Sequence, residues 1–190
     1  MNTLNDRINT KILKVLQPRN VMFMIDDNKH KDKYIEDDCL ELWIDLSDSV
    51  QRRINKEESI KKSFGNLTLI ENNDKLEVSE GFEVFISLIL LLKALYTEVK
   101  EYNDELFNDE LEDIENCFYE DNKLRFISNT NELIDILNTG TINDNNINDY
   151  ACCYRLYQKM VKEHGNINKL LNVMMIQELL YSFEFSVKVI

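Results

Sequence analysis

The stretch that most constrains the fold is residues 82–102, which reads FEVFISLILLLKALYTEVKEY. A helix drawn through this stretch is apolar on nearly every side, and such a helix must be buried nearly all round. Its most apolar part, residues 84–92, stops at Lys93 and is shorter than the roughly 20 residues that span a bilayer. We therefore predict one central buried helix, at about residues 80–102, and no membrane association.

The patterns around this helix predict an α+β fold: a mainly helical single globular domain, residues 1–190, with short antiparallel hairpins and a C-terminal strand. Helical spacing of apolar residues, or capping residues, predicts further helices at 3–16, 35–55, 132–137, 150–163 and 168–181. Strand patterns occur at 21–25, 67–70, 75–78, 117–119, 123–127 and 183–190.

Several boundaries depend on single residues. Thr3 with Asp6 resembles a capping box for the first helix, and Ser79 is a cap for the central one. Residues 40–46 also alternate like a strand, but the helical pattern of 35–55 covers more of the segment. That helix is expected to continue as far as Phe64, with Gly65 as its C-cap. We expect Gly165 to end the helix that begins at 150.

The acidic excess lies in the middle of the chain. The net charge is −13, and residues 71–149 alone carry 20 acidic and 5 basic side chains. A field of this sign repels nucleic acid and anionic membranes and attracts basic partners. We predict no direct nucleic-acid binding. A simpler alternative is a solvated surface that keeps the protein soluble.

The four cysteines show neither metal-site spacing nor a disulfide framework; they are Cys39, Cys117, Cys152 and Cys153. We expect buried, reduced thiols, as in a cytosolic protein. The N-terminal residues lack the pattern of a signal peptide. The predicted location is the cytoplasm, or the host cytosol if the source is viral.

No motif indicates a cofactor or a catalytic metal. The four glycines form no phosphate-binding loop. Each histidine stands alone: His30 is in a lysine-rich loop, and His164 is near a helix end, where a cationic histidine is favourable. Two stretches resemble cation sites only weakly: residues 26–30, and residues 144–155, which start like a calcium loop but lack its glycine and final glutamate.

The acidic run from residue 98 to residue 121 is the one feature of the sequence that indicates a functional surface. It holds eleven carboxylates and a single basic residue, Lys100. The apolar stripe that ends at Leu106 restarts at Phe107 one residue out of phase, which is about 100° of helix rotation. We therefore predict a break within residues 103–108 that separates the core helix from an acidic helix.

We predict that this run forms the binding surface for a basic protein, such as a toxin, a nuclease or another nucleic-acid-binding protein. The function would then be non-enzymatic, of the inhibitor, immunity or anti-defence type. The candidate partner-binding residues are Glu101, Asp104, Glu105, Asp109, Glu110, Glu112 and Asp113, with Tyr102, Phe107 and Tyr119 as aromatic anchors.

Two alternatives remain open. Paired carboxylates could serve a carboxylate-based or metal-assisted enzyme. The apolar helix could instead pack against a second copy of itself in a viral or bacterial structural protein that oligomerises. The sequence does not decide the oligomeric state.

Overall fold

The computed structural model describes residues 7–18, 20–26, 35–57, 62–143 and 148–190. These residues form an α+β fold, as the sequence predicts, and it contains seven α-helices and eight strands. The helices are α1 (Ile12–Leu16), α2 (Ile35–Ile54), α3 (Phe82–Glu101), α4 (Asn108–Phe118), α5 (Asn131–Thr139), α6 (Asp149–Ile167) and α7 (Lys169–Tyr181). The strands are β1 (Ile8–Lys11), β2 (Met22–Ile25), β3 (Ser63–Asn72), β4 (Lys75–Glu80), β5 (Tyr119–Glu120), β6 (Lys123–Leu124), β7 (Phe126–Ser128) and β8 (Glu184–Val189).

Six of the strands form one mixed sheet, in the order β1-β8-β3-β4-β2-β7. The neighbours β1/β8 and β3/β4 are antiparallel, whereas β3/β8, β2/β4 and β2/β7 are parallel. The predicted β3–β4 hairpin is confirmed and turns at Asn73, whose φ of 55° is the left-handed conformation that asparagine tolerates. The predicted buried strand β2 and the C-terminal strand β8 are confirmed as well.

The central helix α3 is confirmed as the core of the fold, since 14 of its 20 residues are buried. It contacts the sheet through Phe85, whose ring centroid lies 5.4 Å from that of Phe23 in β2. Its other sides pack against α2, α6 and α7. The buried hydroxyls of Ser87 in α3 and Tyr157 in α6 share a hydrogen bond of 2.6 Å, so neither is left unsatisfied in the core.

The prediction of a helix at residues 3–16 is wrong for Ile8–Lys11, which form the edge strand β1. Of the described residues in this span, only Ile12–Leu16 are helical; Thr3 and Asp6 lie outside the described residues. These residues form a strand and not a helix because they can pair antiparallel with the edge of β8. Tertiary pairing of this kind overrides local helix preference, and it leaves Ile8 68% exposed instead of buried.

The long helix α2 is confirmed over residues 35–54, but its predicted extension to Phe64 is wrong. Residues from Ser63 onward belong to β3, and the Phe64 ring stacks on Phe183 with 4.5 Å between centroids. Gly65 is therefore a strand residue and not a C-cap.

The prediction that Ser79 caps the central helix is also wrong, because β4 continues to Glu80 and Gly81 is the N-cap. Gly81 has a φ of 76°, and a Cβ there would collide with the carbonyl oxygen of Asn66. Only glycine fits both the left-handed backbone and the close approach of β3.

The second predicted hairpin is confirmed only in part. The strands β5 and β6 pair, but Phe126–Ser128 leave them and join the main sheet beside β2. The chain turns away at Arg125, which is buried and donates to the carbonyl oxygens of Leu16 at 3.0 Å and Asn116 at 3.2 Å. A buried guanidinium that bonds backbone carbonyls fixes the chain direction, and its role is invisible in local periodicity.

The helices at 131–139 and 169–181 are confirmed, and Gly140 is the C-cap of α5. The prediction that Gly165 ends α6 is wrong, because this helix continues to Ile167. A Cβ on Gly165 would collide with the Tyr102 hydroxyl and lie 3.1 Å from Nδ2 of Asn172. The glycine is needed for the close approach of α3 and α7 and not for a turn.

Cys39 in α2 and Cys153 in α6 form a disulfide, with 6.5 Å between their Cα atoms. The expectation that all four thiols are reduced is therefore wrong for this pair. The two residues are separated by 114 positions in the sequence, so no spacing rule could have linked them. The other two cysteines are not part of a disulfide; Cys117 is buried and Cys152 is exposed.

Candidate functional site

The predicted break between the core helix and the acidic helix is confirmed at residues 103–107. After α3 ends, Asn103 adopts a φ of 48°, and the Asp104 side chain accepts a hydrogen bond of 3.1 Å from the backbone N–H of Leu106. This bond caps a short 3₁₀ helix (Glu105–Phe107) that leads into α4. The chain changes direction because asparagine and aspartate satisfy the backbone groups that a helix end leaves free.

The bend creates a groove of about 750 Å³ between the end of α3, α4 and the turn that joins β5 to β6. We call it the acidic groove. Its carboxylates are Asp104, Glu105, Glu112, Glu115 and Asp121; its amides are Asn103, Asn108, Asn116 and Asn122; and Tyr96, Lys100, Leu111 and Tyr119 complete the lining. Lys100 is the only basic residue among these.

Four of the ten predicted site residues line the acidic groove: Asp104, Glu105, Glu112 and Tyr119. Glu101 lines a smaller neighbouring pocket, and Asp109 is exposed outside the groove. The predicted run therefore does form a surface in part, although it does not form one continuous face.

Glu110 and Asp113 lie on the opposite side of α4 and face α7. The Gln177 side chain donates to Oε1 of Glu110 at 2.6 Å, and the Tyr181 hydroxyl donates to Oδ2 of Asp113. Burial and the Asp113 carboxylate together raise the pKa of Tyr181 above its ordinary value. These two acids hold α4 against α7 and are not part of the groove.

Two of the three predicted aromatic anchors are structural. Tyr102 and Phe107 are half-buried and form an edge-to-face pair with 6.4 Å between ring centroids. The Tyr102 hydroxyl accepts a hydrogen bond from Asn172, and burial raises its pKa. The exposed apolar residue at this bend is Leu106, which is 82% exposed although its stripe predicts burial. The one-residue shift of the apolar stripe predicted the break, and the same shift could have predicted that Leu106 is exposed.

Tyr119 joins the acidic groove to the smaller pocket, of about 370 Å³, which we call the lysine pocket. Its lining comprises Lys93, Tyr96, Thr97, Lys100, Glu101, Glu115, Tyr119, Asn138 and Thr139. Lys93 is only 3% exposed and comes from the middle of α3. Burial, and secondarily repulsion by Lys100, lower the pKa of Lys93 to about 8.

Sequence reasoning missed Lys93 because it treated this residue only as the end of an apolar run. The signal was present: a lysine inside a helix that is apolar on all sides must be buried. Glu115 and Asp121 belong to the acidic run but were not selected as site residues. Glu115 could have been selected from its spacing, because residues 112 and 115 lie on one face of α4. Asp121 could not, because the position of the β5–β6 turn is known only from the tertiary structure.

A third pocket, of about 470 Å³, lies between α2 and α7 and is basic. It contains Arg52, Arg53, Lys56 and Lys62, but three of these cations have carboxylate neighbours. Lys62 is 2.6 Å from Asp45, and Arg52 and Arg53 are each 3.9 Å from a glutamate. The last turn of a helix favours basic residues on its own, and we assign no binding role to this pocket.

His164 does not match its predicted role as a cationic partner of a helix end. Its ring lies 4.8 Å from the Trp43 ring, and burial lowers its pKa, which favours the neutral form. Its Nδ1 is buried without a hydrogen-bond partner among the described residues. Of the two weak cation candidates, residues 27–30, which include His30, and residues 144–147 lie outside the described residues.

The part of the chain that the structure describes contains no group of three His, Cys, Asp or Glu side chains that could hold a metal ion. Within the same residues, no helix has the length and apolarity that a membrane crossing requires. No protein-family model matches the chain, and a comparison with curated proteins found no relative.

Proposed function

We propose that this protein is a non-enzymatic interaction protein whose acidic groove binds a basic segment of a partner protein. The observation that carries the proposal is the composition of the groove, which has five carboxylates, four amides and one lysine around a concave surface. Such a lining suits a lysine-rich or arginine-rich segment. The corresponding biological role is that of an inhibitor, immunity or anti-defence protein that covers a basic site.

The carboxylates at the centre of the groove are available to a partner. Glu105, Glu112 and Glu115 are exposed, and no basic nitrogen in the described part of the chain lies within 4.0 Å of their oxygens. Exposed ion pairs within one protein contribute little to stability. Each cation of a partner would contact several groove carboxylates at the same time. The loss of side-chain conformational freedom for each contact would then be smaller than in a single exposed ion pair.

The electrostatic field adds to this local chemistry. The acidic excess of the chain lies within residues 71–149, which include the whole groove. A concentrated field of one sign raises association rates with oppositely charged partners and makes them fall with ionic strength. The amides and the two tyrosines would supply the neutral hydrogen bonds and apolar contacts that give such a site specificity.

The test compares two triple variants with the same change in net charge. In the groove variant Glu105, Glu112 and Glu115 become lysine; in the control variant Asp48, Glu71 and Asp135, which are exposed elsewhere, become lysine. The probe is a short lysine-rich peptide, titrated into each isotope-labelled protein and followed by NMR. We expect shifts confined to α4, the end of α3 and the β5–β6 turn, with at least ~tenfold weaker binding by the groove variant only.

The outcome that overturns the proposal is equal weakening in both variants. That result would mean that the peptide responds to net charge and not to a site. Circular dichroism of both variants verifies that the fold is intact, so a loss of binding by the groove variant cannot be ascribed to unfolding.

A further inference from the structure

The lysine pocket holds a buried amine that the proposed protein-binding role does not use. Lys93 comes from the centre of α3 and is 3% exposed, while most of the other lining residues are half-buried or exposed. The amine therefore lies at the inner end of a pocket that opens to solvent beside the acidic groove. With a volume of about 370 Å³, the pocket can admit a small molecule.

The immediate surroundings of the amine are aromatic. Its nitrogen lies 5.3 Å from the ring centroid of Tyr96 and 5.6 Å from those of Phe118 and Tyr119. No carboxylate in the described part of the chain lies within ion-pair distance of this nitrogen. A buried ammonium without a carboxylate is costly, and lysine relieves this cost by releasing its proton.

The hydrogen bonds fit the neutral amine. Two acceptors face the nitrogen, the Tyr119 hydroxyl at 3.3 Å and the carbonyl oxygen of Asn138 at 3.4 Å. A neutral amine has two N–H donors, so both can be satisfied while the fourth tetrahedral position holds the lone pair. An ammonium would carry a third N–H with no further acceptor among the hydrogen-bond partners of this nitrogen, and the attraction of the three ring faces offsets only part of the cost of its burial. Burial and repulsion by Lys100 act in the same direction, whereas Glu115 opposes them.

We propose that Lys93 is a nucleophilic amine that forms an imine with a small uncharged aldehyde bound in the lysine pocket. The lone pair of Nζ attacks the carbonyl carbon, and the carbonyl oxygen takes up a proton to give a carbinolamine. Both N–H protons leave with that oxygen as water, and a carbon–nitrogen double bond remains. The reaction needs no oxidant or reductant, and lysines in apolar pockets are suited to it.

The pocket also indicates which aldehydes would enter. Tyr96 and Tyr119 provide flat apolar walls for an aliphatic or aromatic group. The hydroxyls of Thr97 and Thr139 donate to backbone carbonyl oxygens of their own helices, so they can accept a hydrogen bond from a neutral polar group. The adjoining acidic groove repels anions. An uncharged aldehyde is therefore favoured over an aldehyde that carries a phosphate or a carboxylate.

The test treats the full chain with benzaldehyde and cyanoborohydride, which reduces an imine to a stable benzylamine. Labelling at each lysine is then measured by peptide mass spectrometry. At pH 8 a lysine with a pKa of about 8 is about half neutral, whereas under 1% of an ordinary lysine is neutral. Allowing for slower access to a buried site, we expect Lys93 to be labelled at least ~tenfold faster than the exposed Lys159 and Lys162.

A pH series separates this mechanism from general surface reactivity. The ratio of the labelling rate at Lys93 to the rates at Lys159 and Lys162 should be constant below about pH 8 and fall about tenfold per pH unit above it, because the pH dependence of the reduction step cancels in this ratio. Lys93→Arg should lose the fast label, and Lys162→Arg should keep it. Labelling of wild-type Lys93 that is no faster than that of Lys159, or a pH profile that parallels it, overturns the proposal regardless of whether the variants fold.

Discussion

The hydroxyl of Tyr102 accepts a hydrogen bond of 2.7 Å from the side-chain amide of Asn172. This bond fixes the end of α3 to α7 immediately before the chain bends into the acidic groove. Asn172 is fully buried and also donates to the carbonyl oxygen of Val161 at 2.9 Å. One amide group therefore positions α3, α6 and α7 relative to one another.

Removal of the Tyr102 hydroxyl and removal of the Asn172 amide should destabilise the fold by different amounts. Tyr102→Phe removes the bond from Asn172 but leaves Asn172 bonded to Val161, so we expect a loss of about 1 kcal/mol in the free energy of unfolding. Asn172→Ala loses both bonds and leaves a cavity, so we expect about 2–4 kcal/mol. Urea denaturation measures both. An equal loss in the two variants would contradict the central position of Asn172.

Gly165→Ala should destabilise the protein although alanine is the better helix former. Gly165 lies inside α6, where alanine alone would be favourable by about 1 kcal/mol. The added Cβ collides with the Tyr102 hydroxyl, so we expect a net loss of about 1–3 kcal/mol.

A double variant identifies the cause of that loss. In a Tyr102→Phe background the colliding oxygen is gone, and Gly165→Ala should cost at least ~1 kcal/mol less than in wild type. If the cost is the same in both backgrounds, the collision with the hydroxyl is not the reason for the glycine.

The Cys39–Cys153 disulfide should contribute measurably to stability. It closes a loop of 114 residues between α2 and α6, and such cross-links typically add about 2–4 kcal/mol. Unfolding in urea with and without a reducing agent should show this difference in wild type. Cys39→Ala should lose the response to the reductant, and the control Cys117→Ala should keep it. Peptide mapping without reduction should recover residues 39 and 153 as one linked pair.

Local sequence patterns predicted the elements whose cause is local. Residues 82–101 are apolar on all sides, and the one-residue slip at Leu106 and Phe107 marks the break that the structure contains. Ile8–Lys11 show the opposite case, because their helical pattern yields to pairing with a strand 170 or more residues away. The strand whose edge makes Ile8–Lys11 a strand lies far from these residues in the sequence.

The candidate site was predictable to a similar extent. The acidic run indicated a charged surface, but it could not show that Glu110 and Asp113 are held by Gln177 and Tyr181 on α7. The environment of Lys93 depends on Tyr119 and Asn138, which come from later elements. Contacts between distant segments determine which carboxylates are free and which amine is buried. The periodicity of the sequence does not predict these contacts.

The lowered pKa of Lys93 predicts a distinctive dependence of stability on pH. The folded protein releases this proton near pH 8, whereas the unfolded chain keeps it until about pH 10.4. Between these values the unfolded state binds more protons, so the contribution of Lys93 to stability rises with pH. Below pH 8 the buried ammonium is a net cost.

Lys93→Met should therefore stabilise the protein near neutral pH and lose this advantage near pH 10. Solvent at the mouth of the pocket screens the charge, so we expect a difference on the order of 1 kcal/mol between the two conditions. Burial raises the pKa values of Cys117, Tyr154 and Tyr157, which lowers stability in alkali in both proteins. The difference between wild type and variant, measured by urea denaturation at each pH, isolates Lys93, and a difference that does not change with pH would contradict its lowered pKa.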